Sequence, residues 1–118
     1  MTAALLAEKI AALSLEKKGH QVTILNVTGL SSVTDFFVIV SADSDTQLRA
    51  IADNIERKLR KDEQIHLYHK EGINSPNWIL LDFIDVVVHL FRKETREHYG
   101  IERLWADAEM KLVLDEEA

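Results

Sequence analysis

The chain has 118 residues and a mass of 13.5 kDa; 47% of its residues are apolar, 29% are charged, and its net charge is −6. That length supports one hydrophobic core and excludes a second, and a single Pro with only four Gly excludes a disordered or repetitive composition. The lack of cysteine removes disulfides, thiolate metal sites and a cysteine nucleophile together, while the acidic balance argues against nucleic-acid binding, which is driven by clustered Lys and Arg on phosphates, and favours a basic protein partner.

Thr2 is placed to cap a helix whose apolar positions Leu6, Ile10 and Leu13, with Leu5 and Ala12 alongside, recur at helical spacing. Lys17 and Lys18 suit its C-terminal end and Gly19 its stop. Glu8 and Lys9 interrupt this segment, so it reads as a mature helix and not as a cleaved leader. No run approaches the ~18 apolar residues of a membrane span, and the expectation is a soluble, cytoplasmic protein.

"QVTILNV" (21–27) is rich in β-branched residues and reads as a strand, followed after "TGLSS" by a second, "TDFFVIVSA" (34–42). In "DSDTQLRAIADNIERKLRK" (43–61), Ser44 with Gln47 three residues later is a capping-box pattern. Leu48, Ile51, Ala52, Ile55 and Leu59 then form one helical stripe. "QIHLYHKEG" (64–72) predicts a short third strand. "WILLDFIDVVVHLF" (78–91) is too long and too β-branched for one strand, and the polar dip from Asp82 to Asp85 predicts two strands joined by a tight hairpin. "RKETREHYG" (92–100) predicts a short helix stopped by Gly100, and "IERLWADAEMKL" (101–112) a further helical turn or two, before "DEEA" (115–118) as a loose tail. The order α β β α β β β α predicts one α/β domain over residues 1–118, with a mixed sheet of about five strands and three main helices.

Candidate chemistry is sparse. Asp43 and Asp45 have the Asp-x-Asp spacing that holds Mg²⁺ in nucleotidyl-transferring enzymes. They also fall at a helix start, where carboxylates meet free backbone N–H groups, and no Gly-rich phosphate loop precedes them; the structural role is therefore preferred. His66 and His69, three apart in a strand, would point to opposite faces, so with His20 and His98 they make no metal site. Asp85 and His89 share a strand face about 13 Å apart, too far for a base and its orienting carboxylate. Asp82 and Asp85 are expected to hydrogen-bond hairpin backbone, and the role of His89 stays open. No cofactor or metal is implied.

The hairpin is more informative through its faces. Trp78, Leu80 and Asp82 lie on one side of the first strand, opposite Ile79 and Leu81; Asp85, Val87, His89 and Phe91 lie opposite Val86, Val88 and Leu90 in the second. Both sides are apolar, and three modest helices cover only one well. An open strip holding Trp78, Leu80 and Val87 would be a protein-binding patch; equally, the last helix could lie over it with Trp78 as core. Tyr99 and Trp105 carry the same alternatives, with a stapling role for the C-terminal segment the commoner outcome for such aromatics.

Three blocks in order, "SSVTDFFVIVSADSDTQLRAIADNIE", "NWILLDFIDVVVHLF" and "REHYGIERLWADA", resemble the ribosomal silencing factor family, also called the Iojap-like proteins. The likeness runs from about Asn26 to Ala108; the first helix is similar only in being a helix of suitable length. The resemblance implies a bacterial, non-enzymatic factor that binds the large ribosomal subunit through ribosomal protein fourteen and blocks association with the small subunit. It implies lower translation when nutrients are scarce, a fold like a nucleotidyltransferase domain without its catalytic residues, and a homodimer when free. Its partner surface maps here onto Trp78, Leu80, Asp82, His89 and Tyr99. The competing functions are a diminished nucleotidyltransferase using Asp43 and Asp45 with Mg²⁺, and a homodimerisation module with no ribosomal role.

Overall fold

Along the chain, the computed structural model, which describes residues 1–74 and 76–114, builds α1 (Ala3–Glu16), β1 (His20–Asn26), β2 (Phe36–Ala42), α2 (Asp45–Glu63), β3 (His69–Glu71), β4 (Trp78–Asp82), β5 (Val86–Arg92), α3 (Lys93–Tyr99), α4 (Ile101–Leu104) and β6 (Glu109–Leu112). The six strands form one mixed sheet in the order β3-β4-β5-β2-β1-β6. β2 and β5 are parallel at its centre, and every other pairing is antiparallel. That pattern follows from the connections: short turns join β1 to β2, β3 to β4 and β4 to β5, whereas β2 reaches β5 only after α2 and the β3–β4 pair.

α1 and α2 pack on one face of the sheet, here the inner face. Ile24, Val38, Val40, Ile79, Leu81, Val88 and Leu90 meet Ile10, Leu13, Leu48, Ile51, Ile55 and Leu59 there, all buried. The period-2 pattern of the strands and the helical stripe of α2 therefore converge on one core. Thr2 caps α1 by accepting the Leu5 N–H at 3.1 Å. Ser44 caps α2 by accepting from Gln47 at 3.1 Å. The box is not reciprocal in the usual way: Gln47 Oε1 accepts the Asp43 N–H at 2.7 Å, and its Nε2 donates to the Lys17 and Lys18 carbonyls at the end of α1. One side chain thus ties the start of α2 to the end of α1. Buried Asn54 adds a second tie, donating to the Leu13 carbonyl at 2.9 Å.

Four expectations need correction. In α1, Leu5 and Ala12 face outward, and the buried stripe runs through Leu6, Ala7, Ile10, Ala11, Leu13 and Ser14, because small Ala7 and Ala11 let the helix sit close to the sheet. The left-handed residue ending that helix is Lys18 (φ 65°), and Gly19 is needed for space: a Cβ there would lie 2.6 Å from Val40 Cγ1. The third strand shrinks to His69–Glu71, since Ile65 and Leu67 turn inward against the helical core before pairing starts. The helical turn expected in 101–112 is α4, but Glu109–Leu112, for which the sequence predicts no strand, becomes β6, a sixth strand pairing with the free edge of β1. The tail 115–118 lies outside the described residues.

Candidate functional site

The opposite, outer face carries Thr23 and Leu25 of β1, Phe37, Ile39 and Ser41 of β2, Val87, His89 and Phe91 of β5, and Trp78, Leu80 and Asp82 of β4. Among the described residues, only the short C-terminal helices cover it. α3 ends at Gly100, whose positive φ of 56° reverses the chain, and Ile101 and Ala108 then close over Leu25, Ile39 and Phe91. Trp105 meets Phe37 edge-on at 5.4 Å and so staples this segment to β2.

Buried Arg96 fixes α3 in place. Its Nη1 donates to the Gln21 carbonyl at 2.7 Å and to Ser41 Oγ at 2.9 Å, its Nη2 donates to Thr23 Oγ1 at 3.0 Å, and its Nε pairs with Glu102 at 3.2 Å. Burial lowers the Arg96 pKa from its ordinary value, and Glu102 partly opposes that. A guanidinium with most of its donors satisfied by the sheet can be buried without being left unpaired.

Beyond this lid, towards β4, the outer face opens. Trp78 is half-buried, with ring centroids 4.8 Å from Phe91 and 4.9 Å from Tyr99. Tyr99 is 51% exposed. The Trp78 indole N–H donates to His89 Nδ1 at 3.1 Å. His89 itself is only 6% exposed, packed edge-to-face on Phe37 at 5.0 Å, and burial pushes its pKa down to about 4. Its Nε2 is buried with no hydrogen-bond partner among the described residues. Next to this stack runs a groove of about 560 Å³ lined by Val33, Phe37, Tyr68, Leu80, Ile84 and Val87, with Asp82 and Glu71 at its polar margin. Val33, Tyr68 and Ile84 are exposed at 83%, 71% and 55%. Thr34 also lines the groove, with its buried Oγ1 unpaired.

The five residues singled out in the sequence therefore fall on the same side of the sheet. Leu80 and His89 are directly paired across β4 and β5, Trp78 pairs with Phe91, Asp82 lies at the far end of β4, and Tyr99 reaches the stack from α3. His89 differs from the others in lying beneath the surface. Asp82 does shape the hairpin, accepting the Ile84 N–H at 2.7 Å and holding that residue at φ 75°. Asp85 contributes through its backbone instead: its N–H donates to the Phe83 carbonyl within the hairpin at 3.0 Å, and its carbonyl accepts from Asp35 and Phe36 at the start of β2. Phe37 could have been assigned to this face from the alternation in "DFFVIV"; Val33, Thr34 and Tyr68 belong to loops, and only the fold brings them there.

The other candidates separate. Asp43 pairs with His20 at 2.9 Å, and Asp45 sits in the first turn of α2 against Arg92 at 3.1 Å. His69 pairs with Glu71 at 2.9 Å, while His66 precedes β3 altogether. Among the described residues no three His, Cys, Asp or Glu side chains gather as a metal-binding group, and no helix is long and apolar enough to cross a membrane.

An α/β domain with one sheet face sealed by long helices and the other half-open around an aromatic stack and an apolar groove has the form of a binding module. The sequence matches the family described as "Ribosomal silencing factor during starvation" along residues 1–118, and the chain belongs to that family. It is 41% identical over 93 residues to the ribosomal silencing factor of Halalkalibacterium halodurans, covering 79% of each chain. Identity is likewise 41% over 102 residues with that of Bacillus subtilis, covering 85% of each. Its fold is similar to a crystal structure of a protein from Chromobacterium violaceum, with a TM-score of 0.86 and 27% identity over 98% of this chain and 95% of that one.

Proposed function

We propose that this protein binds the large ribosomal subunit through ribosomal protein fourteen, sits where the small subunit docks, and so prevents subunit joining and lowers translation under nutrient limitation. The observation that carries the proposal is the half-open outer face, where Trp78 and Tyr99 stack beside the groove that Leu80 and Val87 line. Aromatic anchors beside an apolar depression are the usual centre of a protein interface, and the carboxylates of Asp82 and Glu71 suit its polar rim. The names of the curated relatives support a ribosomal, regulatory role. A net charge of −6 favours a basic ribosomal protein and speeds its association at low salt.

No bond need be made or broken. A domain held on the docking face excludes the other subunit sterically, so repression is a competition between two binding free energies, and its site of action is the cytoplasm. Free copies are proposed to pair through the same face, which would hide its apolar surface from water.

Co-sedimentation with purified large subunits, followed by a subunit-joining assay, tests the proposal. Wild type is expected to pellet with large subunits and reduce joining. Trp78→Ala should weaken binding by about 2 kcal/mol, roughly 30-fold, with an unchanged circular dichroism spectrum. Undiminished joining at saturating protein would refute the function, and undiminished affinity of the variant would remove Trp78 from the interface.

A further inference from the structure

We infer that His89 is a positioning residue for Trp78: it lies beneath the outer face as a hydrogen-bond acceptor that fixes the indole in the orientation offered to a macromolecular partner. This rests on the outer face being the partner surface, and it assigns His89 a different part from that of a contact residue.

The geometry makes the imidazole suited to that part and poorly suited to direct contact. With 6% of its surface exposed, His89 has little to offer a partner. Its ring is held from two sides, perpendicular to Phe37 at 5.0 Å and nearly parallel to Phe91 at 6.1 Å, so the direction of Nδ1 is set by packing. Because Nδ1 accepts from the indole at 3.1 Å, the proton of the neutral ring resides on Nε2. That N–H is buried with no partner among the described residues, a cost an apolar side chain of similar size would not incur. What the imidazole supplies, and a leucine or phenylalanine could not, is the acceptor under the Trp78 N–H.

Trp78 needs such an anchor. Its ring faces are held by Phe91 and Tyr99, but Tyr99 is half exposed and Trp78 itself only half-buried. Pinning the N–H edge stops the indole from swinging outward to satisfy that donor with water. An aromatic anchor already ordered in the free protein loses less side-chain entropy on binding.

The test uses the full chain labelled with ¹⁵N, whose Trp78 and Trp105 indoles give two N–H signals, the second an internal control. In wild type the Trp78 indole proton is expected to exchange slowly with water. Lowering the pH should shift its resonance with a midpoint near 4, as Nδ1 takes a proton and the acceptor is lost. Glu94, His98 and Tyr99 on α3 line the cleft beside Trp78, and Asp82 stands at the far end of β4 on the same face, so the transition must persist in Asp82→Asn and Glu94→Gln. His89→Leu should abolish the slow exchange at Trp78, leave Trp105 unchanged and weaken large-subunit binding about tenfold. His89→Asn, which keeps an acceptor near Nδ1, should restore both to within about threefold of wild type. In a Trp78→Phe background, His89→Leu should cost no further affinity.

A Trp78 indole as protected in His89→Leu as in wild type overturns the inference, as does a pH transition that disappears with Asp82→Asn. An unprotected indole with wild-type affinity in His89→Leu also overturns it, provided Trp78→Phe binds weakly. If Trp78→Phe binds as wild type does, the surface assignment fails first and the positioning role falls with it. Should His89→Leu fold poorly, the wild-type titration and His89→Asn still decide.

Discussion

The buried imidazole of His89 should make this protein lose stability in mildly acidic solution. An ordinary histidine titrates near 6.5, and His89 near 4 because burial disfavours its charged form. The unfolded chain therefore takes up a proton at a pH where the native chain does not, and stability falls as pH drops through that window. At about 1.4 kcal/mol per pH unit of separation, the full loss is roughly 3 to 4 kcal/mol, with roughly 2 kcal/mol gone by pH 5 and about 3 kcal/mol by pH 4. Above pH 6.5 the group contributes no dependence. Urea unfolding of wild type and His89→Asn between pH 7.5 and 4.5 isolates the effect, because every other titratable residue is common to both. The wild-type curve should fall towards that of the variant by about 2 kcal/mol from pH 7.5 to pH 5. Two parallel curves would show that His89 is not buried as a neutral ring.

Arg96→Met should destabilise the fold by about 3 kcal/mol in urea, since it leaves buried Ser41 Oγ without its donor and removes the guanidinium that ties Gln21 and Thr23 of β1 to Glu102, although Thr23 still donates to the Gln21 carbonyl. It should also loosen α3, measurable as faster proteolysis after residue 92. Gly72→Ala should cost about 2 kcal/mol in the same assay, because its φ is +88° and a Cβ would overlap the Trp78 carbonyl oxygen. Ser44→Ala removes the cap of α2 and should cost about 1 kcal/mol by thermal unfolding, with no effect on large-subunit binding.

The sequence by itself determined the elements whose pattern is local. Alternation in β1, β2, β4 and β5, the stripe of α2, the caps at Thr2 and Ser44 and the hairpin at Asp82 need only period, branching and a few turn residues to be legible. The same alternation assigned Trp78, Leu80 and Asp82 to one face and His89 to the same side of the sheet.

What the sequence left open is what depends on contacts distant along the chain. Glu109–Leu112 has no strong strand pattern, all four residues being exposed, and becomes β6 only because the edge of β1 offers unpaired backbone groups. Whether Trp78 was core or surface turned on how far α3 and α4 reach, and Arg96, anchored to β1 and β2 more than fifty residues earlier, stops them over Phe91 and short of Leu80. Burial of His89, and with it the acceptor beneath the indole, follows from that same partial cover. Local periodicity sets which way a side chain points; only the packed structure sets what lies above it.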